Sequence, residues 1–321
     1  MSATETATPT SGVRVALRRA LRAMAQGDAL GGFVDKRCRS TLSPADAALL
    51  EVALSGGRPE DPRFAISDDT ILPLLALRTA GPAGHINRDA YAAALRASDS
   101  RGGYQINKLR ACPRRIPQAV DGATNGAVLR SLAAAHAAGP DAPGELVFET
   151  VKLVSITHGD HNALTAAVVF GLLFQRAMAG DTLDDAVMQT VQLERELRDI
   201  LDGGAAFWCA LRSALELRAR ARGVADMADR LEHYIGLHVG ANSSPVFAIA
   251  MAAFGFGQPE TLCQTILRRA PRWDIDSTGA MLAALLGAFG DPLPTTLGAQ
   301  LVEDWCTANG APHLLLADRA A

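Results

Sequence analysis

The segment from Gly279 to Phe289 constrains the fold more than any other, because it has no polar face. Its bulky residues are interleaved with glycine and alanine, and they are Met281, Leu282, Leu285 and Leu286. A helix that is apolar on all sides is stable only when other elements cover it on all sides. The rest of the chain must therefore provide a closely packed shell around this segment.

The remaining sequence has the spacing of helices rather than of strands. Residues 13–24 place Val13, Leu17 and Leu21 on one face of a predicted first helix. The run from Ser43 to Asp46 has a hydroxyl cap, a proline at the first helical position and an acid in the first turn, which is typical of a helix start. Aromatic residues make up only 5% of the chain, and strand-like alternation is nearly absent, which disfavours a sheet. We therefore predict an all-α fold.

Length and composition allow a large core. The chain has 321 residues, of which 49% are hydrophobic and 20% charged, enough for one large domain or two tightly fused lobes. Residues 1–12 are rich in threonine, serine and alanine and lack the basic start and apolar run of a signal peptide. We expect a disordered tail over residues 1–12 and a helical domain over residues 13–321.

Several classes of partner are disfavoured by charge and hydropathy. A net charge of −3 without any run rich in lysine and arginine gives no attraction for a nucleic-acid backbone. The five cysteines have no C-x-x-C spacing, so neither a disulfide framework nor a thiolate zinc site is indicated. The most apolar stretch, Ala163 to Phe174, is shorter than the roughly 20 residues that span a bilayer. We expect a cytoplasmic protein without nucleic-acid or membrane partners, whose oligomeric state the sequence leaves open.

Two acidic clusters lie near opposite ends of the chain, at residues 67–70 (Ser-Asp-Asp-Thr) and 274–278 (Asp-Ile-Asp-Ser-Thr), each at the start of a predicted helix. Either cluster taken alone is explained by helix capping, because serine, threonine and aspartate satisfy the free N–H groups of a first turn. If folding brings the clusters together, four carboxylates and several hydroxyls would form an all-oxygen site for hard divalent cations such as Mg²⁺.

Further motifs accompany these clusters in a recognisable order. They are the run Gly27-Asp28-Ala29-Leu30-Gly31 with an acid seven positions after Asp28, the run Asn125-Gly126-Ala127 with Arg130, the pair Thr157-His158, and the closing Asp274-x-Asp276-Ser277. Together they resemble the ADP-ribosylglycohydrolase family, from about Val13 to Pro294. The resemblance implies an all-α fold of one compact domain, two bound Mg²⁺ or Mn²⁺ ions, and hydrolysis at the anomeric carbon of ADP-ribose.

The resemblance also assigns candidate metal ligands. In the family the ligands come from a Thr-Asp-Asp segment and from a late Asp-x-Asp-Thr segment. The matching residues of this sequence are Ser67, Asp68, Asp69, Asp274, Asp276 and Ser277. Serine in place of threonine keeps the hydroxyl oxygen, so the ligand set is chemically complete.

Catalytic and substrate-binding residues follow in the same way. The family has a glutamate in a loop over the anomeric carbon where this chain has Asp35. We expect either Asp35 or a metal-bound aspartate, Asp69 or Asp276, to take the proton. We expect Asp28 to support the site or to cap a neighbouring helix. The predicted substrate-binding residues are Asn125, Gly126, Ala127, His158 and Trp273.

Three functions remain open at this point. The first is a metal-dependent hydrolase that cleaves the N- or O-glycosidic bond at C1 of ADP-ribose on a protein side chain or a small acceptor. The second is a hydrolase of a small-molecule N-riboside, such as an NAD-derived metabolite, which the departures at Asp35, at Trp273 and after Gly126 leave possible. The third is a non-catalytic relative that retains the fold and the metals, for which Asp35 in place of glutamate is the best support.

Overall fold

The structure, a computed structural model, describes residues 11–35, 42–80, 85–98, 109, 122–269, 274–294 and 296–315. Within these ranges the protein is built from α-helices and short 3₁₀ helices, with two isolated β-bridges and no sheet. The α-helices, numbered here in chain order, are α1 (Ser11–Asp35), α2 (Pro44–Leu54), α3 (Asp68–Arg78), α4 (Arg88–Ala97), α5 (Ser131–Ala138), α6 (Pro143–Val154), α7 (His161–Ala179), α8 (Leu183–Gln192), α9 (Glu194–Leu201), α10 (Ala205–Leu217), α11 (Val224–Tyr234), α12 (Ser244–Gly255), α13 (Pro259–Leu267), α14 (Ile275–Ala288) and α15 (Thr296–Ala308). The predicted all-α fold is confirmed.

The apolar segment identified in the sequence forms α14, which lies in the centre of the protein. Helices α1, α12 and α13 pack along it, and α3 and α7 also contact it. All of its large side chains are buried. The shell that this segment requires is therefore present, and it is made of helices.

Helix α1 is 25 residues long and continues to Asp35, well beyond the predicted end at Met24. It begins at Ser11, so it includes the last two residues of the predicted tail, and the remainder of that tail lies outside the described residues. Two glycines explain why the helix continues. A Cβ atom at Gly31 would lie 2.5 Å from Asp276 Cα and 2.6 Å from the Ile275 carbonyl oxygen, and one at Gly27 would overlap α14 in the same way. The close approach of α1 and α14 offsets the weak helix propensity of glycine.

Helix α7 contains the most apolar stretch of the chain. Its 19 residues are long and apolar enough to cross a membrane by length and composition alone. However, 72% of that window is buried inside the protein. Apolar helices of this length are also found at the centre of large helical domains, and α7 has that position here because it contacts α1, α5, α6 and α14.

Candidate active site

The first acidic cluster starts α3. Ser67 has an extended backbone conformation and caps the helix, because its Oγ accepts a hydrogen bond from the Asp69 amide at 3.2 Å. Asp68 and Asp69 follow in the first turn, where the positive end of the helix dipole favours negative charge. Capping is therefore a sufficient account of Ser67, but it does not account for the two carboxylates that follow.

The second cluster starts α14, where Asp276 Oδ1 accepts a hydrogen bond from the Ser277 amide at 2.9 Å, but the Asp274 side chain does not cap the helix. Asp274 occupies the cap position, yet its side chain makes no capping hydrogen bond. Instead, Asp274 Oδ2 accepts a hydrogen bond from Asn125 Nδ2 at 2.5 Å, and the same amide donates to Ser244 Oγ at 2.7 Å. The Asp274 carboxylate is thus held by the 3₁₀ helix Asn125–Ala127 and by the start of α12. Capping does not explain why an acid stands at this position.

The two clusters meet in the folded protein. Ser277 Oγ donates a hydrogen bond to Asp69 Oδ2 at 2.8 Å, joining residues 208 positions apart in the sequence. Asp276, in the first turn of α14, lies directly against Gly31 of α1. The starts of α3 and α14 therefore face each other. A shared metal site requires this arrangement, whereas two independent helix caps do not require it.

Asp28 lies beneath the start of α3 and is fully buried. Its Oδ2 accepts hydrogen bonds from the Ser67 amide at 2.8 Å and from Thr70 Oγ1 at 2.6 Å. Its Oδ1 is also buried and has no hydrogen-bond partner among the described residues. Buried carboxylate oxygens are normally satisfied, whereas this one still has an unused capacity to accept. The predicted supporting role of Asp28 agrees with these contacts.

Burial and mutual repulsion raise the pKa values of several of these acids. Burial raises the pKa of Asp28 to about 7, against the opposing effect of the hydrogen bonds from Thr70 and Ser67. Burial likewise raises the pKa of Asp274 to about 6, opposed by the hydrogen bond from Asn125. Burial and then the charge of Asp68 hold the pKa of Asp69 well above its ordinary value. Carboxylates in this state gain from a nearby cation, which restores the ionised form.

The donor set fits a hard divalent ion, because every candidate ligand offers a carboxylate or hydroxyl oxygen. The carboxylates are not yet as close together as ligands around a bound ion. Among the described residues, ligand atoms within 4.8 Å of one another occur in a trio outside this site, which consists of His85, Glu145 and Glu149. Like-charged side chains repel in the absence of a cation, so they would have to draw closer to bind one.

A second network surrounds His158 and the buried Arg130. Arg130 donates to the Gly126 carbonyl oxygen from Nη2 at 2.8 Å, to Thr157 Oγ1 at 2.6 Å and to His158 Nδ1 at 2.9 Å. Because a guanidinium can only donate, Nδ1 must be the acceptor and the ring proton must be on Nε2. His158 Nε2 lies 2.8 Å from Thr124 Oγ1. Burial and the Arg130 charge hold the pKa of His158 well below its ordinary value, so the ring is neutral.

The comparisons with known proteins identify the family. A family model described as ADP-ribosylglycohydrolase matches residues 10–320. The chain belongs to the ADP-ribosylglycohydrolase family. Membership indicates a glycohydrolase that acts on ADP-ribose-like substrates, in agreement with the motifs in the sequence.

The fold of this family member is also that of a solved structure. A chain described as an ADP-ribosylglycohydrolase-related protein complex is 17% identical and superposes with a TM-score of 0.65, covering 95% of this chain and 99% of that one. At this identity the likeness shows the fold alone. No protein with a curated description matches the sequence significantly.

The other predicted site residues of this glycohydrolase lie in different environments. Gly126 lies beside the His158 ring, since a Cβ atom on it would be 3.9 Å from Nε2. Ala127 is fully buried and packs in the core. Asp35 is the last residue of α1 and is exposed, so it belongs to a helix rather than to the expected loop. Trp273 lies outside the described residues.

Sequence reasoning missed two residues that hold the site together. Ser244 is buried and bonds to Asn125, and Thr124 lies within hydrogen-bond distance of His158. The pair Ser244-Pro245 reads as a helix start, which α12 confirms, but no sequence signal links it to a residue 119 positions earlier. Only the packing of α12 against the 3₁₀ helix brings them together.

Proposed function

We propose that the protein is a metal-dependent hydrolase that cleaves the N- or O-glycosidic bond at C1 of ADP-ribose, carried by a protein side chain or a small acceptor. The observation that supports this most directly is the contact between Ser277 Oγ and Asp69 Oδ2. It brings together two acidic helix starts that have no need of each other for capping. A site for charge chemistry, rather than for helix stability, is the simplest reason to bury these acids together.

Two Mg²⁺ or Mn²⁺ ions are the proposed cofactors, and the residues that would hold them are Ser67, Asp68, Asp69, Asp274, Asp276 and Ser277. When bound, such ions supply positive charge that orients the ribose hydroxyls and stabilises the charge that develops as the glycosidic bond breaks. The number of ions and the assignment of ligands are part of the proposal. They rest on the all-oxygen donor set and on the unpartnered Oδ1 of Asp28.

The residues around the acids hold them in place. Asp28 fixes the start of α3 by accepting from the backbone of Ser67 and from the Thr70 hydroxyl. Asn125 fixes Asp274 from the opposite side of the site. These contacts limit how far the acids must move to reach an ion, which allows a site built from distant segments to be precise.

Asp35 is the proposed proton-transfer residue at the edge of this site. It follows Asp28 by seven residues on α1, so the two acids share one face of the helix and are separated by roughly 10 Å along its axis. That face carries Asp28 into contact with the start of α3. An exposed carboxylate two turns further along can take a proton from the attacking water, with Asp69 or Asp276 as the alternative acceptor.

The network around His158 supports a substrate that carries phosphate. Arg130 is buried close to the predicted substrate-binding residue Gly126, and none of the described carboxylates pairs with it. The neutral His158 ring directs an N–H group from Nε2 towards Thr124, next to Gly126. A buried cation favours an anion close to this position.

Incubation of the purified protein with a substrate panel tests the proposal. The panel contains ADP-ribosyl-arginine, ADP-ribosyl-serine and NAD-type N-ribosides, each with Mg²⁺ or with a chelator, and mass spectrometry detects the products. Release of ADP-ribose only with metal is expected. Turnover of the N-ribosides alone would replace the substrate by the small-molecule alternative, and metal binding without any turnover would support a non-catalytic relative.

A matched pair of variants separates ligands from first-turn acids. Asp276 and Asp184 each occupy the second position of a helix, α14 and α8 respectively. Asp276→Asn is expected to abolish turnover and to remove the stabilisation by metal, whereas Asp184→Asn should leave both unchanged. Equal activity of the two variants would refute the assignment of Asp276.

A further inference from the structure

A second constellation of potential metal ligands lies outside the candidate active site. It consists of His85, three residues before the first residue of α4, and of Glu145 and Glu149 on α6. One ligand atom from each of these residues lies within 4.8 Å of the other two. His85 Nδ1 is 3.5 Å from Glu145 Oε1 and 3.5 Å from Glu149 Oε1.

These distances agree with the geometry of zinc coordination. Ligand atoms at about 2.0–2.1 Å from a tetrahedral zinc ion lie about 3.3 Å from one another. The two distances from His85 therefore have to shorten by only a few tenths of an ångström. Glu145 and Glu149 are one helical turn apart and so project from the same face of α6. The imidazole favours zinc over Mg²⁺ or Ca²⁺, which prefer oxygen ligands alone.

Glu149 is the buried member of this trio. Its side chain is only 1% exposed, whereas His85 and Glu145 are 59% and 40% exposed. Lys152 Nζ lies 3.0 and 3.2 Å from the two oxygens of Glu149. Lys152 supplies one positive charge against two carboxylates, so a doubly charged ion can still be accommodated beside it. Burial shields the Glu149 carboxylate from water, so it gains more from added positive charge than the two exposed ligands do.

We propose that His85, Glu145 and Glu149 form a zinc site, with water completing the coordination. Such an ion would tie the segment before α4 to α6. Helix α6 ends at Val154, whose carbonyl oxygen accepts a hydrogen bond from the His158 amide at 3.0 Å. Zinc at this site thus stabilises the helix from which the His158 network begins. Its role is structural, and it is independent of the proposed hydrolase chemistry.

Calorimetric titration of the full-length protein with Zn²⁺ in excess Mg²⁺ tests this site. One zinc is expected to bind and to raise the melting temperature, because it binds the native state alone. His85→Ala, at an exposed position, and Glu145→Gln, at a half-buried one, should each weaken zinc binding by about tenfold or more. His233→Ala, which removes another exposed histidine, is the control and should bind zinc as the wild type does.

Lys152→Gln distinguishes the proposal from a simple ion-pair cluster, and Asp276→Asn is a control for binding at the candidate active site. Lys152→Gln should tighten zinc binding, because it removes a competing positive charge, and Asp276→Asn should leave it unchanged. Zinc bound equally well by wild type and His85→Ala would place the ion elsewhere, for example on the exposed thiol of Cys209, and would overturn the proposal. Weaker zinc binding by Lys152→Gln would overturn it as well.

Discussion

The contact between Gly31 and the start of α14 leads to the most specific prediction about the site. Gly31→Ala places a methyl group 2.5 Å from Asp276 Cα and 2.8 Å from its amide nitrogen, and both are backbone atoms that cannot rotate away. Ordinary van der Waals contact begins at 3.4 Å, so α1 and α14 have to separate locally by about 0.9 Å. The separation moves Asp276 away from the start of α3.

The expected loss of activity follows from this displacement. A shift of about 1 Å in a positioned catalytic group can lower the rate by roughly a hundredfold. The overpacking itself should cost about 1–3 kcal/mol of unfolding free energy, partly offset by the higher helix propensity of alanine, about 1 kcal/mol. We therefore expect a modest loss of stability together with a large loss of turnover and of metal-dependent stabilisation.

Two glycine variants provide the controls. Gly287→Ala crowds the same pair of helices, at 2.5 Å from the Arg19 carbonyl oxygen, but roughly 18 Å further along α1. It should lose similar stability and retain most of its metal response. Gly12→Ala has nothing within 4 Å of the added methyl group and should be neutral or slightly stabilising. If Gly31→Ala and Gly287→Ala lose metal response and turnover equally, or if neither does, the reasoning about Asp276 is refuted.

Three other predictions concern the site. Ser67→Ala and Ser43→Ala remove the serine caps of α3 and α2, and each should lower the free energy of unfolding by about 1 kcal/mol. Only Ser67→Ala should also reduce the rise in melting temperature caused by Mg²⁺. Asp35→Asn should lower turnover by ~10²–10⁴-fold without changing metal affinity. Asp35→Glu tests whether the pocket is adapted to the shorter acid. Unchanged kinetics in both variants would assign the proton transfer to Asp69 or Asp276 instead. Since the pKa of His158 is lowered in the folded protein, its contribution to stability is present above the ordinary value of 6.5 and is lost as pH falls below it. Between pH 7.5 and pH 5.0, the free energy of unfolding of the wild type, measured with denaturant, should therefore fall by up to about 2 kcal/mol more than that of His158→Gln. Parallel pH profiles of the two proteins would contradict this.

Local features of the sequence were sufficient to predict where a helix such as α2 begins. Ser43, Pro44 and Asp46 start α2 as expected, with the Asp46 amide donating to Ser43 Oγ at 3.1 Å. The helix predicted over residues 13–24 was too short, because it continues through Gly27 and Gly31, which are contact positions against α14. Helix propensity describes a residue against solvent, whereas Gly27 and Gly31 lie against another helix.

The sequence by itself determined the helical class, the buried position of α14 and the residue types that can bind a metal, because each depends on side-chain chemistry at short spacing. The tertiary structure alone decided that Asp69 meets Ser277, that Asn125 and Ser244 hold Asp274, and that Glu149 is buried beside His85. These contacts join segments that are far apart in the chain, and the packing of whole helices, not any local pattern, sets their distances. For the same reason the two acidic clusters could each be explained as caps in the sequence, and only their encounter in the fold favours a shared site.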